Sequence, residues 1–142
     1  MKESYTASAS IEILASTSKV WHALIDPKTI KEYLFGTTVV SDWKVGSSIT
    51  YTGVWNGKPY EDKGKVIQNI PNKQLKTTYW SSLSNRPDVP ENYNNVTYSL
   101  QEKDNNTILT VTKDNNPTKE SATHSEQNWI KVLESMKAIL EK

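Results

Sequence analysis

The feature that most constrains this chain is a switch of hydrophobic period near residue 120. From Thr37 to Asp114, β-branched, apolar and aromatic residues come in short alternating runs broken by Gly, Asn, Asp and Pro, the pattern of antiparallel strands. Beyond it, Trp129, Val132, Leu133, Met136, Ile139 and Leu140 recur at helical spacing within an arc of roughly 120°, a stripe wide enough to face a core. Lys131, Glu134, Lys137 and Glu141 lie outside the arc, with Ile130 on its margin. A helix of roughly 18–20 residues spans about 27–30 Å. Its apolar stripe needs a sheet, and the buried face of the sheet needs a cover.

The rest of the chain supplies that sheet. Residues 5–14 alternate through Tyr5, Ala7, Ala9, Ile11 and Ile13, which predicts a strand with one buried face. Ser16 or Ser18 is placed to cap a short helix carrying Val20, Trp21, Leu24 and Ile25, ended by Asp26-Pro27. Pro27 suits the first turn of a second short helix through Ile30, Tyr33, Leu34 and Phe35, closed by Gly36. Strands are predicted over Thr37–Trp43, Ser47–Trp55, a return to about Ile70, Leu75–Ser82, Tyr93–Glu102 and Thr107–Lys113. Asn56-Gly57 supplies the two positive-φ residues of a type I′ hairpin turn. Ser121, Thr123 or Ser125 is placed to cap the final helix.

The fold class is therefore α+β. A curved antiparallel sheet of about seven strands wraps around a long C-terminal helix, and two short helices close one end. A helix about 10 Å across does not fill the concavity of seven strands, so an internal pocket is expected. The competing outcome is a concavity plugged by the chain's own five tryptophans, seven tyrosines and one phenylalanine.

Composition narrows function. A chain of 142 residues buries enough surface for one core, and residues 1–142 are expected to form a single domain. The net charge of +1 and the lone arginine, Arg86, argue against nucleic acid and against a polybasic membrane surface. Without cysteine there is no disulfide framework, thiolate metal site or cysteine nucleophile, which fits a reducing compartment. The first residues, MKESYTASASIEI, hold no uninterrupted apolar run, so neither a signal peptide nor a membrane span is expected, and the expected location is cytoplasmic.

His22 and His124, the only histidines, stand about 100 positions apart and give no zinc spacing, so neither a metal nor another cofactor is expected. Gly36, Gly46, Gly53, Gly57 and Gly64 form neither a phosphate loop nor a dinucleotide fingerprint, and there is no Gly-x-Ser-x-Gly elbow. No catalytic residue is assigned. Asp62, between Glu61 and Lys63, reads as part of a solvated strand face.

The aromatic residues carry the functional reading. Tyr51, Trp55, Tyr79, Tyr98, Trp129, Leu133 and Met136 are the candidate ligand-binding residues, with ordinary core packing as the competing explanation. Gly53, between Tyr51 and Trp55, leaves room on their face, and Trp21 and Trp43 are expected to pack under the short helices. Residues 81–90 form the longest loop, a candidate lid in which Arg86 is the candidate partner for an anionic ligand group.

Several ordered motifs carry a family resemblance. Val20-Trp21-x-Ala23-Leu24-x-Asp26-Pro27 is followed by Ser41-Asp42-Trp43-Lys44-Val45-Gly46 and Tyr51-x-Gly53-x-Trp55-x-Gly57. Lys63-Gly64-x-Val66, Pro71-x-Lys73-x-Leu75, Tyr79-Trp80-Ser81 and Pro90-Glu91-Asn92-Tyr93 come next, then Asp114-Asn115-Asn116-Pro117 and Trp129-x-x-x-Leu133. In this order they resemble the START-like (SRPBCC, helix-grip) superfamily. Within it they are most similar to bacterial proteins resembling the C-terminal domain of the activator of the 90-kDa heat-shock protein ATPase. The resemblance implies a helix-grip fold with a cavity, and no single chemistry, since relatives include lipid and hormone carriers, cyclases, aromatases and co-chaperone domains. The expected function is binding of a small apolar or aromatic molecule. The alternatives are a co-chaperone-type interaction with a chaperone and cyclase- or aromatase-like catalysis.

Overall fold

The structure, a computed structural model, describes residues 5–82, 84 and 86–141; the side chain of Trp55 lies outside that description. In chain order the elements are β1 (Tyr5–Ile13), α1 (Thr17–Ile25), α2 (Pro27–Tyr33), β2 (Thr38–Val40), β3 (Ser48–Trp55), β4 (Lys58–Ile70), β5 (Gln74–Tyr79), β6 (Asn94–Lys103), β7 (Asn106–Asn116) and α3 (Lys119–Leu140). The seven strands form one sheet in the order β1-β7-β6-β5-β4-β3-β2, every neighbouring pair antiparallel. This is the α+β architecture that the change of period required.

Local chemistry sets the element boundaries. Ser16 caps α1 by accepting from the Lys19 amide at 3.2 Å. Asp26 ends α1 and caps α2 at once, its carboxylate accepting from the Thr29 hydroxyl at 2.7 Å, with Pro27 in the first turn. Asn56 and Gly57, at φ of 51° and 78°, make the β3–β4 hairpin turn, and Asp104 and Asn105, at 51° and 69°, make the β6–β7 turn.

Of the predicted boundaries that move, two have a clear local cause. The cap of α3 is Thr118, upstream of Ser121, Thr123 and Ser125; Ser121 is instead the returning half of a capping box, accepting from the Thr118 amide. The strand expected to reach Trp43 stops at Val40. There the Ser41 hydroxyl accepts from the Trp43 amide and Trp43 turns to a φ of 61°, which extended pairing does not permit.

α3 is fastened chiefly to one edge of the sheet. Glu126 accepts from the Ser8 amide at 3.0 Å and Glu141 from the Leu14 amide at 2.7 Å, while Lys137 donates to the Glu12 carbonyl at 2.9 Å. Beneath it Ile13, Leu109, Val111, Leu133, Met136 and Leu140 are buried in one core with Val20, Leu24 and Ile30 of the short helices. Among the described residues no helix is long and apolar enough to cross a membrane.

Candidate functional site

Because α3 lies along β1 and β7, the concave face of β3–β6 is left partly uncovered. Between that face and the first half of α3 lies a pocket of about 620 Å³. Strand alternation decides what it contains. One inward-facing row crosses five strands, with Val66 opposite Thr77, Thr77 opposite Val96, Val96 opposite Lys113 and Lys113 opposite Ala7. A second row places Leu75 opposite Tyr98 and Tyr98 opposite Val111, and on the far side Tyr51 faces Asp62 across β3 and β4. The helix supplies His124, Ser125, Asn128, Trp129 and Val132 to the other wall.

Four of the seven predicted ligand-binding residues come together here: Tyr51, Tyr79, Tyr98 and Trp129 all line the pocket. Tyr51 and Tyr79 meet edge-on at 5.8 Å between ring centroids, and Tyr98 meets Trp129 in the same way at 5.8 Å, joining sheet to helix. Leu133 and Met136 do not line it. Each is 1% exposed within the core, because their part of α3 is pressed onto β1 and β7. Trp55 forms the last pair of the β3–β4 ladder, opposite Lys58, and its side chain lies outside the described residues. The space beside Gly53 is taken: a Cβ there would lie 2.5 Å from the Tyr60 hydroxyl, so the missing side chain admits the Tyr60 phenol, which bonds Thr37 at 2.6 Å.

The polar residues of the pocket depart furthest from the sequence reading. Asp62 is not solvated. It is 7% exposed, and its oxygens accept from the Tyr79 hydroxyl at 2.6 Å, the Ser81 hydroxyl at 2.9 Å and the Ser82 amide at 3.1 Å. The flanking Glu61 and Lys63 suggested an outward face, yet the two-residue period back from Val66 through Gly64 turns Asp62 inward. Burial, followed by the neighbouring Asp62 charge, pushes the Tyr79 phenol well above its ordinary pKa, so it stays protonated as the donor. Burial likewise holds the phenols of Tyr51 and Tyr98 well above the usual range.

Lys113 continues the inward series Thr107, Leu109, Val111 on β7 and lines the pocket. Its ammonium lies 5.5 Å from the centre of the Tyr79 ring and 3.5 Å from the Ser125 hydroxyl, and burial lowers its pKa. His124, expected just ahead of the last helix, sits in its second turn on the pocket rim. Arg86 does not face the pocket; its guanidinium donates to Asn92 at 2.9 Å. Nearby, Trp80 donates to the Arg86 carbonyl at 3.1 Å and Lys63 pairs with Asp88. Among the described residues no three His, Cys, Asp or Glu side chains gather to hold a metal ion.

With this geometry in view, the chain was compared with known proteins. A family described as "Activator of Hsp90 ATPase homolog 1-like protein" matches residues 14–141. Among solved structures, the solution structure of ChR145 from Cytophaga hutchinsonii is 46% identical, with 96% of this chain and 94% of that one covered and a TM-score of 0.84. The solution structure of the Aha1 dimer from Colwellia psychrerythraea is 25% identical, with 96% of each chain covered and a TM-score of 0.75. MLL2253 from Mesorhizobium loti, 21% identical over 96% of each chain at a TM-score of 0.77, shares the fold. None of the curated proteins matches the chain.

Proposed function

The chain belongs to the activator of Hsp90 ATPase homolog 1-like family, within the START-like superfamily that its motifs resembled, and on that premise we propose that it binds a small, largely hydrophobic molecule between sheet and helix. One observation carries the reading: the pocket of about 620 Å³ walled by Tyr51, Tyr98, Trp129 and Val132, with Asp62, Lys113 and several hydroxyl and amide side chains also on its lining. A closed concavity would have left only an outward-facing role.

The test is a thermal-shift screen of fatty acids, sterols, flavonoids and polycyclic aromatics on the intact chain. A ligand at 100 times its dissociation constant adds about 2.7 kcal/mol. For a chain of this size that raises the melting temperature by about 5–10 °C. Val132→Trp, which fills the pocket from the helix side, is expected to abolish the shift while the variant still folds. A screen without a single shift, or shifts that Val132→Trp leaves intact, would remove the proposal.

A second reading is cyclase- or aromatase-like catalysis. It draws support from Asp62 and Tyr79, a carboxylate and a protonated phenol 2.6 Å apart at the pocket wall. Turnover of a bound polyketide-like ligand, lost in Tyr79→Phe with binding retained, would favour it. The co-chaperone reading draws on the family description alone, and co-purification with the cell's own 90-kDa chaperone, with stimulated ATPase activity, is the observation that would revive it.

A further inference from the structure

The binding reading above leaves one charged side chain unused, and the inference drawn from it rests on that reading. Lys113 occupies a place that strand alternation reserves for the core: its cross-strand neighbours, Val96 and Ala7, are 3% and 1% exposed. A lysine ammonium carries three donors and is costly to withdraw from water unless it is paired. Here its one hydrogen-bond contact among the described residues is the Ser125 hydroxyl, at the long distance of 3.5 Å, and no carboxylate lies within ion-pairing distance. Asp62 attracts it through space, yet the oxygens of Asp62 are already engaged by Tyr79, Ser81 and Ser82. Arg86, repelling Lys113 from the neighbouring loop, adds positive charge to this side. Besides Ser125, Asn128 and His124 also line the pocket and carry polar atoms of their own.

We infer that the pocket takes an amphiphile with one oxyanionic head group, a carboxylate or its equivalent, seated on Lys113 and Ser125 with its apolar body against Tyr51, Tyr98 and Trp129. The geometry divides the ligand as it divides the pocket. Aromatic edges receive the body, and the single under-partnered cation receives the charge in a partly dehydrated place, where a charge-assisted hydrogen bond is strongest. The lowered pKa of Lys113 fits the same picture, since an arriving anion restores the partner that burial removed.

The experiment uses two fluorescent probes with one body. N-phenyl-1-naphthylamine is neutral, and 1-anilinonaphthalene-8-sulfonate carries the same rings with one sulfonate. Each is titrated into the intact chain, Lys113→Met, Lys113→Arg and Val132→Trp, with thermal melts confirming that every variant folds. Wild type is expected to bind both. Lys113→Met should weaken the sulfonate by at least about tenfold and move the neutral probe by less than about twofold, while Lys113→Arg restores most of the loss. Added salt should weaken only the sulfonate. If the neutral probe binds and the sulfonate ignores Lys113→Met, or both probes weaken alike, the head-group assignment is overturned and the pocket reading stands. If neither probe binds wild type, or Val132→Trp retains both, the pocket reading itself falls and takes this inference with it.

Discussion

The two halves of the concave face solve the same burial problem differently. Under α3, along β1 and β7, the residues are aliphatic: Ile13, Leu109, Val111, Leu133 and Met136 are all 1% exposed or less and leave no room. Over β3–β6 the aliphatic Ile49, Val66, Leu75 and Val96 are buried too, but Tyr51, Asp62, Tyr79 and Tyr98 also face inward, with Lys113 at the border, and there a pocket remains. Branched and flexible aliphatic chains interlock with a helix at close range. Phenols and charged groups hold one another at ring-edge and hydrogen-bond distances, as Tyr51–Tyr79 and Tyr79–Asp62 do, and those fixed spacings prop the wall open. One half is packed solid and the other keeps a pocket.

Alkaline pH is expected to break the contrast most severely, because three of the four most deeply buried phenols, Tyr51, Tyr79 and Tyr98, belong to the tyrosine half. Tyr33, Tyr51, Tyr79 and Tyr98 all have phenol pKa values raised above the ordinary 10.0, chiefly by burial. Each prefers the folded state while neutral, so its contribution is complete below pH 10.0 and is lost as the pH climbs toward the folded-state value. Between pH 10.0 and the folded-state value each such group removes up to about 1.4 kcal/mol per pH unit. Absorbance at the phenolate band should show these four tyrosines ionising together with unfolding; independent ionisation in a chain that stays folded would contradict their burial.

Met136→Ala tests the closed half. Truncating a fully buried methionine is expected to cost about 2–5 kcal/mol in denaturant unfolding. Since Met136 lies off the pocket wall, affinity for the neutral naphthylamine probe should hold within about twofold. A large loss of affinity at unchanged stability would erase the boundary between the halves. Asp62→Ala has the smaller expected effect, about 1–3 kcal/mol, from leaving the Tyr79 and Ser81 hydroxyls and the Ser82 amide without their acceptor. It should also remove the part of the Tyr79 pKa elevation that the Asp62 charge adds to burial.

The same division explains what could be read from the sequence. The stripe of α3, the Asn56-Gly57 turn and the strand alternation all belong to the closed half or to the frame, where apolar pattern and turn chemistry speak directly. The start of α3 was hidden because residues 119–128 hold a single apolar residue, Ala122, while His124, Ser125 and Asn128 line the pocket, so Thr118 had no stripe to announce it. Asp62 and Lys113 were hidden for the opposite reason. Charged residues on a strand default to water, and only strict counting from Val66 and from Leu109–Val111 turns them inward. Tyr79 faces the pocket because β5 runs without a bulge from Leu75 to Tyr79 along β6. Gly53, read as leaving room on the face of Tyr51, leaves none, because Tyr60 of the neighbouring strand fills the space.

α3 changes trade halfway along its length. Its later turns act as a keel, with Leu133, Met136 and Leu140 committed to the hull, whereas His124 and Asn128, both exposed, form a gunwale at the pocket's edge. Replacements along that upper rail disturb little of the frame's stability while re-dressing the mouth of the pocket. Vessels on one such hull can therefore differ at the rail through a few inexpensive changes of rigging, with the timbers below untouched.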